Sequence, residues 1–156
     1  MSEPVSTAGQ ARLAILEEIR QLTLEGLPDK EEIQVRRNFW HKDTIHEGIT
    51  IQGLGEQYGD NSPLRTSDVD YPCAVTLVQR EDGDAVQDND TIDQWAKEIR
   101  QRFMDQRIGV GDIENVKEHV CRVTPGSPSY PVKQFPEYRV RQLIVHVWAR
   151  ELNYVS

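Results

Sequence analysis

The sequence predicts an α+β domain: a mostly antiparallel sheet with an N-terminal helix and a second amphipathic helix packed on it. Three stretches carry that prediction. Residues 138–151 (YRVRQLIVHVWARE) alternate with period two, placing Arg139, Arg141, Leu143, Val145, Val147 and Ala149 on one face of a long strand. Its middle is apolar on both faces, as in a strand flanked by others and covered on at least one side. Residues 72–80 (PCAVTLVQR) have the same two-sided apolar character. Between these, Ile92, Trp95, Ala96, Ile99 and Phe103 recur at helical spacing. Runs of strands with interspersed helices give an α+β order.

In chain order, residues 1–6 read as a flexible tail. Thr7 is placed to cap a helix extending to about residue 22, with Leu13, Leu16 and Ile19 in one stripe that Ile15 and Leu22 widen. Gly26 and Pro28 end it. Residues 33–40, with Ile33, Val35 and Phe39 on a face shared with Arg37, predict a first strand, and residues 48–52 a second. The two are expected to form a hairpin around residues 41–47. Residues 53–71 hold three glycines, one proline and few aliphatic side chains, which predicts a long exposed loop. After the strand at 72–80, an acidic turn over residues 80–89 hands over to the second helix. Asp90 is its expected N-cap and Asp93 a first-turn carboxylate that favours the helix dipole. Glu98 and Arg102 are spaced to pair on its polar side. Gly109 and Gly111 close that helical region, and residues 116–123 form a strand pairing antiparallel with 138–151. Pro125, Pro128, Pro131 and Pro136 stiffen the connection between them. The organisation is therefore a tail at 1–6 and a single domain over 7–156 with a long loop at 53–71, without internal repeats.

A chain of 156 residues fits one ordinary domain. At 37% hydrophobic and 28% charged residues it supports a modest core with long loops and is not wholly disordered. Eighteen Lys and Arg against 26 Asp and Glu leave a formal charge of −8, which argues against tight wrapping of DNA. An acidic surface suits simple solubility, and also a path along which DNA slides without adhering. Cys73 and Cys121 lie in separate predicted strands, so no disulfide framework is expected. The first residues lack a basic region followed by an apolar run, and no stretch approaches the roughly 18 apolar residues of a spanning helix. A soluble chain made in a reducing cytoplasm is the expectation.

Four groups of residues could carry chemistry. His41, Asp43, His46 and Glu47 are the densest set of metal-ligating types, but their spacing matches no helical metal motif, and a solvated hairpin tip is the favoured reading. Glu118, His119 and Cys121 with His146 supply a thiol and imidazoles, the ingredients of nucleophilic catalysis. A regular strand is a poor setting for a reactive thiol, which favours a small buried Cys beside a satisfied His. Asp68, Asp70, Glu81 and Asp82 are similar to the carboxylates of metal-dependent nucleases, yet Gln79 and Arg80 stand where a lysine is required. Arg36, Arg37, Arg139, Arg141 and Arg150, with Trp40 and Trp148 nearby, could stack on nucleic acid or pair with acids of a neighbouring subunit. In an acidic chain the second use is favoured, which nominates Arg139, Arg141, Arg150, Glu81 and Asp82 as subunit-interface residues. No catalytic, cofactor-binding or metal-binding residue is predicted.

The succession of an N-terminal helix, a strand pair, a variable loop, the strand YPCAVTLVQRE, the helix DTIDQWAKEIRQRFMD and a final strand pair closing on YRVRQLIVHVWARE resembles the tail terminator and neck (head-to-tail joining) proteins of tailed bacteriophages, over residues 7–151. The resemblance implies a small α+β subunit, not an enzyme, that forms a ring, usually a hexamer, capping the finished tail tube and joining it to the head. It implies as partners other copies of the chain, the tail tube protein and a neck or head-closure protein, with DNA passing through the lumen without specific binding. It implies a place in the virion after synthesis in the host cytoplasm, with no membrane and no cofactor. The loop at 53–71 and the proline-rich excursion at 125–136 depart from the simplest members. Alternatives are another head–tail connector or tube-type virion protein, or a small cytosolic enzyme using the His41, His46 and Glu47 turn. On the family reading, residues 138–151 serve both fold and assembly, their apolar middle in the core and their arginines toward neighbours.

Overall fold

The computed structural model describes residues 6–24, 27, 30–58, 66–81, 83–108 and 116–152. In chain order they form α1 (Thr7–Arg20), β1 (Ile33–Val35), β2 (Trp40–His41), β3 (Thr44–Ile45), β4 (Gly48–Gly53), β5 (Gln57–Tyr58), β6 (Thr66–Arg80), α2 (Ala85–Phe103), β7 (Val116–Gly126) and β8 (Tyr138–Leu152). The two-sided apolar strand is central. β8 pairs antiparallel with β6 along its whole length, from Thr66 opposite Leu152 to Arg80 opposite Tyr138, and with β7 on its other side. The main sheet runs β1-β4-β6-β8-β7, with β5 alongside β6, and only β1–β4 is parallel. This is the predicted α+β arrangement, mostly antiparallel with an N-terminal helix.

Strand alternation puts Val69, Tyr71, Cys73, Val75 and Leu77 of β6 and Leu143, Val145, Val147 and Ala149 of β8 on one face, all buried. Ile15 and Ile19 from α1 and Ile92, Trp95, Ile99 and Phe103 from α2 join them in one cluster, each burial contributing roughly 1.5–3 kcal/mol. Both helices therefore cover the same face, α1 toward β1 and β4, α2 toward β6, β7 and β8. The helices are also tied to each other. Glu18, 3% exposed, forms an ion pair with Arg102, which satisfies a carboxylate that would be costly to bury alone. Arg102 also lies over the Phe103 ring, 5.7 Å from its centre.

The structure corrects several boundaries. Ser6, not Thr7, caps α1, its Oγ accepting a hydrogen bond from the Gly9 N–H at 3.1 Å. The predicted tail thus loses its last residue, while residues 1–5 lie outside the described residues, as do Gly26, Pro28, Gly109 and Gly111. α2 begins at Ala85, so Asp90 sits inside the helix instead of capping it. The apolar stripe marks only the part of α2 that is packed, and the helix runs on past it through polar residues. Residues 33–52 are not a simple hairpin: β1 pairs parallel to β4, Ile33 opposite Ile49. The chain can do this because residues 36–47 form a crossover containing their own small antiparallel pair, β2–β3. Gly48, at φ 119°, ends that crossover where a Cβ would fall 2.5 Å from the Glu32 carbonyl oxygen.

The predicted loop at 53–71 is also revised. Thr66 to Tyr71 belong to β6, and β5 pairs with them, Gln57 opposite Asp70; residues 59–65 lie outside the described residues. Val69 and Tyr71 alternate in phase with Cys73, so the strand continues through a stretch whose acids find partners on β8. The predicted pairing of residues 116–123 with 138–151 is present, and β7 extends through Pro125 to Gly126. Proline is tolerated there because β7 is an edge strand. Elsewhere on that margin the Cys121 N–H donates to the Gln106 carbonyl at 2.8 Å, and the Cys121 carbonyl accepts from the Asp105 N–H at 2.9 Å. At the opposite margin β1 has three residues, and the Arg20 guanidinium holds the Ile33 carbonyl at 2.8 Å. Among the described residues no helix is long and apolar enough to cross a membrane.

Candidate functional site

The face of β6, β8 and β7 away from the helices is covered at one end, where Ala74, Thr76 and Val78 are buried, and carries a cluster of polar side chains at the other. Near the start of β8 it is flanked by the β2–β3 pair and the connection over residues 127–137. These clasp each other: the Trp40 indole N–H donates to the Ser129 carbonyl at 3.0 Å, Gln134 donates to the Lys42 carbonyl, and Phe39 meets Tyr130 edge-on. Farther along, the face opens into a cleft of about 480 Å3 lined by Asp70, Val120, Arg122, Thr124, His146 and Trp148. Register assembles it, with His146 opposite Arg122 on β7 and Pro72 on β6, and Trp148 opposite Val120 and Asp70.

Within the cleft, His146 Nδ1 lies 2.9 Å from Asp70 Oδ2 and His146 Nε2 lies 2.9 Å from Thr124 Oγ1. With Nδ1–H donating to the carboxylate and the threonine hydroxyl donating to Nε2, this is the hydroxyl–imidazole–carboxylate line used in nucleophilic catalysis. Its setting differs from a catalytic one. Thr124 lies in the middle of a strand ladder, opposite Ile144, and the alternation that turns Cys121 outward turns the Thr124 backbone groups toward β8. Among the described residues no helix start adjoins them to supply oxyanion donors. The line satisfies one oxygen of Asp70, which is 6% exposed, while Oδ1 is buried with no hydrogen-bond partner among the described residues. Beside it, Arg150 Nε donates to Asp68 Oδ1 at 3.0 Å and Gln142 Nε2 to Thr76 Oγ1 at 3.1 Å. Trp148 is 41% exposed at the cleft wall.

Most residue groups nominated from the sequence are taken apart by the fold. His119 and Cys121 point to the helix-covered side and His146 to the other, so a thiol and two imidazoles do not meet. The His119 Nε2 accepts from the Ile108 N–H at 3.0 Å, and burial, with the nearby Arg107 charge, holds its pKa below the ordinary histidine value. Cys73 and Cys121 are buried free thiols, each pushed up to about 12 by burial. At the predicted hairpin tip, His46 Nε2 donates to the Glu32 carbonyl at 2.9 Å, Glu47 accepts from the Arg80 N–H at 3.2 Å, and Asp43 accepts from Gln134 at 3.1 Å. Among the described residues no three His, Cys, Asp or Glu side chains stand together as metal ligands would. Arg36, Arg37, Trp40 and His41 do come together, around one surface recess.

The nominated interface residues pair within the chain. Arg139 bonds Glu81 at 3.1 Å, Arg141 bonds Asp93 of α2, and Arg150 bonds Asp68; Asp82 lies outside the described residues. Arg139 and Arg141 stand on the helix side of β8 and Arg150 on the open side. Their acidic partners lie 48 to 82 residues away in the sequence, and only the register reveals them. Arg141 also edges a second groove, of about 420 Å3, between α2 and the outer strands. Compared with known proteins, the chain matches no family model and no curated protein.

Proposed function

We propose that the protein is a structural virion protein whose copies form a ring, hexameric in its simplest form, at the head-proximal end of a phage tail. There it terminates the tail tube and joins it to the neck, with DNA passing through the lumen. The observation that carries this reading is the unlike character of the subunit's two broad surfaces. One sheet face is sealed by both helices, and the other lies open around Trp148. A closed ring needs each subunit to present two different, complementary surfaces, and two unlike faces are a starting point for them. The element order of the family supports the reading further, as does the commitment of the hydroxyl–imidazole–carboxylate line to holding a buried carboxylate.

Size-exclusion chromatography with light scattering, followed by negative-stain electron microscopy, tests the proposal on the purified chain alone and with a tail tube protein. Closed rings of six copies are expected. A strictly monomeric chain under both conditions refutes the proposal.

A further inference from the structure

We propose that the groove between α2 and the outer strands receives the acidic start of α2, with the residues just before it, from a second copy of this chain. The inference rests on the ring reading and names one contact between neighbouring copies, on the helix side of the sheet. The groove floor is apolar, with Ala96 from α2, Val123 from β7 and Leu143 from β8. Its rim is basic. Arg141 is paired with Asp93, but Lys97 and Arg100 are exposed and have no ion-pair partner among the described residues. Two uncompensated cations around an apolar floor suit an acidic segment that also offers an aliphatic side chain.

The chain carries such a segment. Residues 81–90 contain five carboxylates, of which Glu81, Asp84 and Asp90 are described and exposed. Among them Val86 is 81% exposed, the most exposed of the large apolar side chains described. A valine left in water amid acids has no role in its own subunit's core. Seated on the groove floor, it would bury that side chain while Asp84 and Asp90 face Lys97 and Arg100. The donor cannot be the same copy. Val86 and Lys97 lie on one continuous helix, about 16 Å apart along its axis at 1.5 Å per residue, so the segment cannot fold back into its own groove. Val86 and Lys97, eleven residues apart, share one face of α2, so the contact joins copies through that face and fixes no number of copies by itself. A contact with this share of rim charge weakens as salt is raised.

Charge reversal tests it, with mass photometry and sedimentation velocity reporting size and circular dichroism reporting folding. The substitutions are Asp84→Lys with Asp90→Lys in the acidic segment, and Lys97→Glu with Arg100→Glu in the groove, all at exposed positions. We expect the native chain to self-associate, each reversed pair to weaken association at least tenfold, and the chain carrying both reversals to recover it. If either reversed pair assembles like the native chain, or if the doubly reversed chain fails to recover, this contact is wrong while the ring reading stands. A native chain that is monomeric at every concentration, both alone and with a tail tube protein, overturns both.

Discussion

The two faces of one sheet are built from the same strands and behave as different materials. On β6 and β8 the odd-numbered positions from Val69 to Leu77 and Leu143 to Ala149 are apolar and sealed beneath two helices. The even-numbered positions from Asp68 to Val78 and from Val140 to Arg150 are mixed: Ala74, Thr76 and Val78 are buried, while Asp68, Asp70, Gln142, His146 and Arg150 make hydrogen bonds and ion pairs across the strands. The covered face holds the fold through non-directional burial, and the open face holds its polar groups through specific geometry. Stability should therefore be concentrated on the first and tolerance to change on the second.

The largest effect should come from the covered face. Phe103 is fully buried, and Phe103→Ala should cost about 3–5 kcal/mol, read from the midpoint of urea unfolding at constant slope. A smaller loss than from any single change on the open face would break the contrast. On the open face, His146→Ala removes the hydrogen bond from a largely buried carboxylate and should cost about 1–3 kcal/mol, less than Phe103→Ala. Thr124→Val, which leaves the Asp70 bond in place, should cost less again, so a reversed order would mean that the hydroxyl end of the line matters more than the carboxylate end.

The smallest effect is a pH dependence. Because burial lowers the His119 pKa in the folded chain, the unfolded chain takes up its proton first. This contribution to stability is complete above the ordinary value of about 6.5 and declines as pH falls through it. Stability measured from pH 8 to pH 5 should fall less steeply for His119→Gln than for the native chain, and identical slopes would remove His119 from the account.

The covered face was legible because its signals are local. Leu143, Val145 and Val147 alternate within one strand, and Ile92, Trp95, Ile99 and Phe103 share one helical stripe. What escaped depended on partners distant in sequence. Residues 66–71 read as loop because Asp68 and Asp70 look like loop residues until Arg150 and His146 stand beside them. The parallel pairing of β1 with β4 was hidden by the crossover, whose small β2–β3 pair itself resembles a hairpin tip. The start of α2 was missed because Asp90 has the chemistry of a cap while the helix already runs from Ala85. The cleft could not be seen at all, since Asp70, Thr124 and His146 come from three strands and only the register collects them.

The two margins of the sheet carry a consequence of their own. Backbone pairing between copies has no natural stopping point, because each added strand offers the same template as the one before it. Here one margin is occupied at Cys121 by Asp105 and Gln106 and lacks an N–H at Pro125, and the other is a three-residue strand held at Ile33 by Arg20. Crowded copies are thereby steered away from endless ladders.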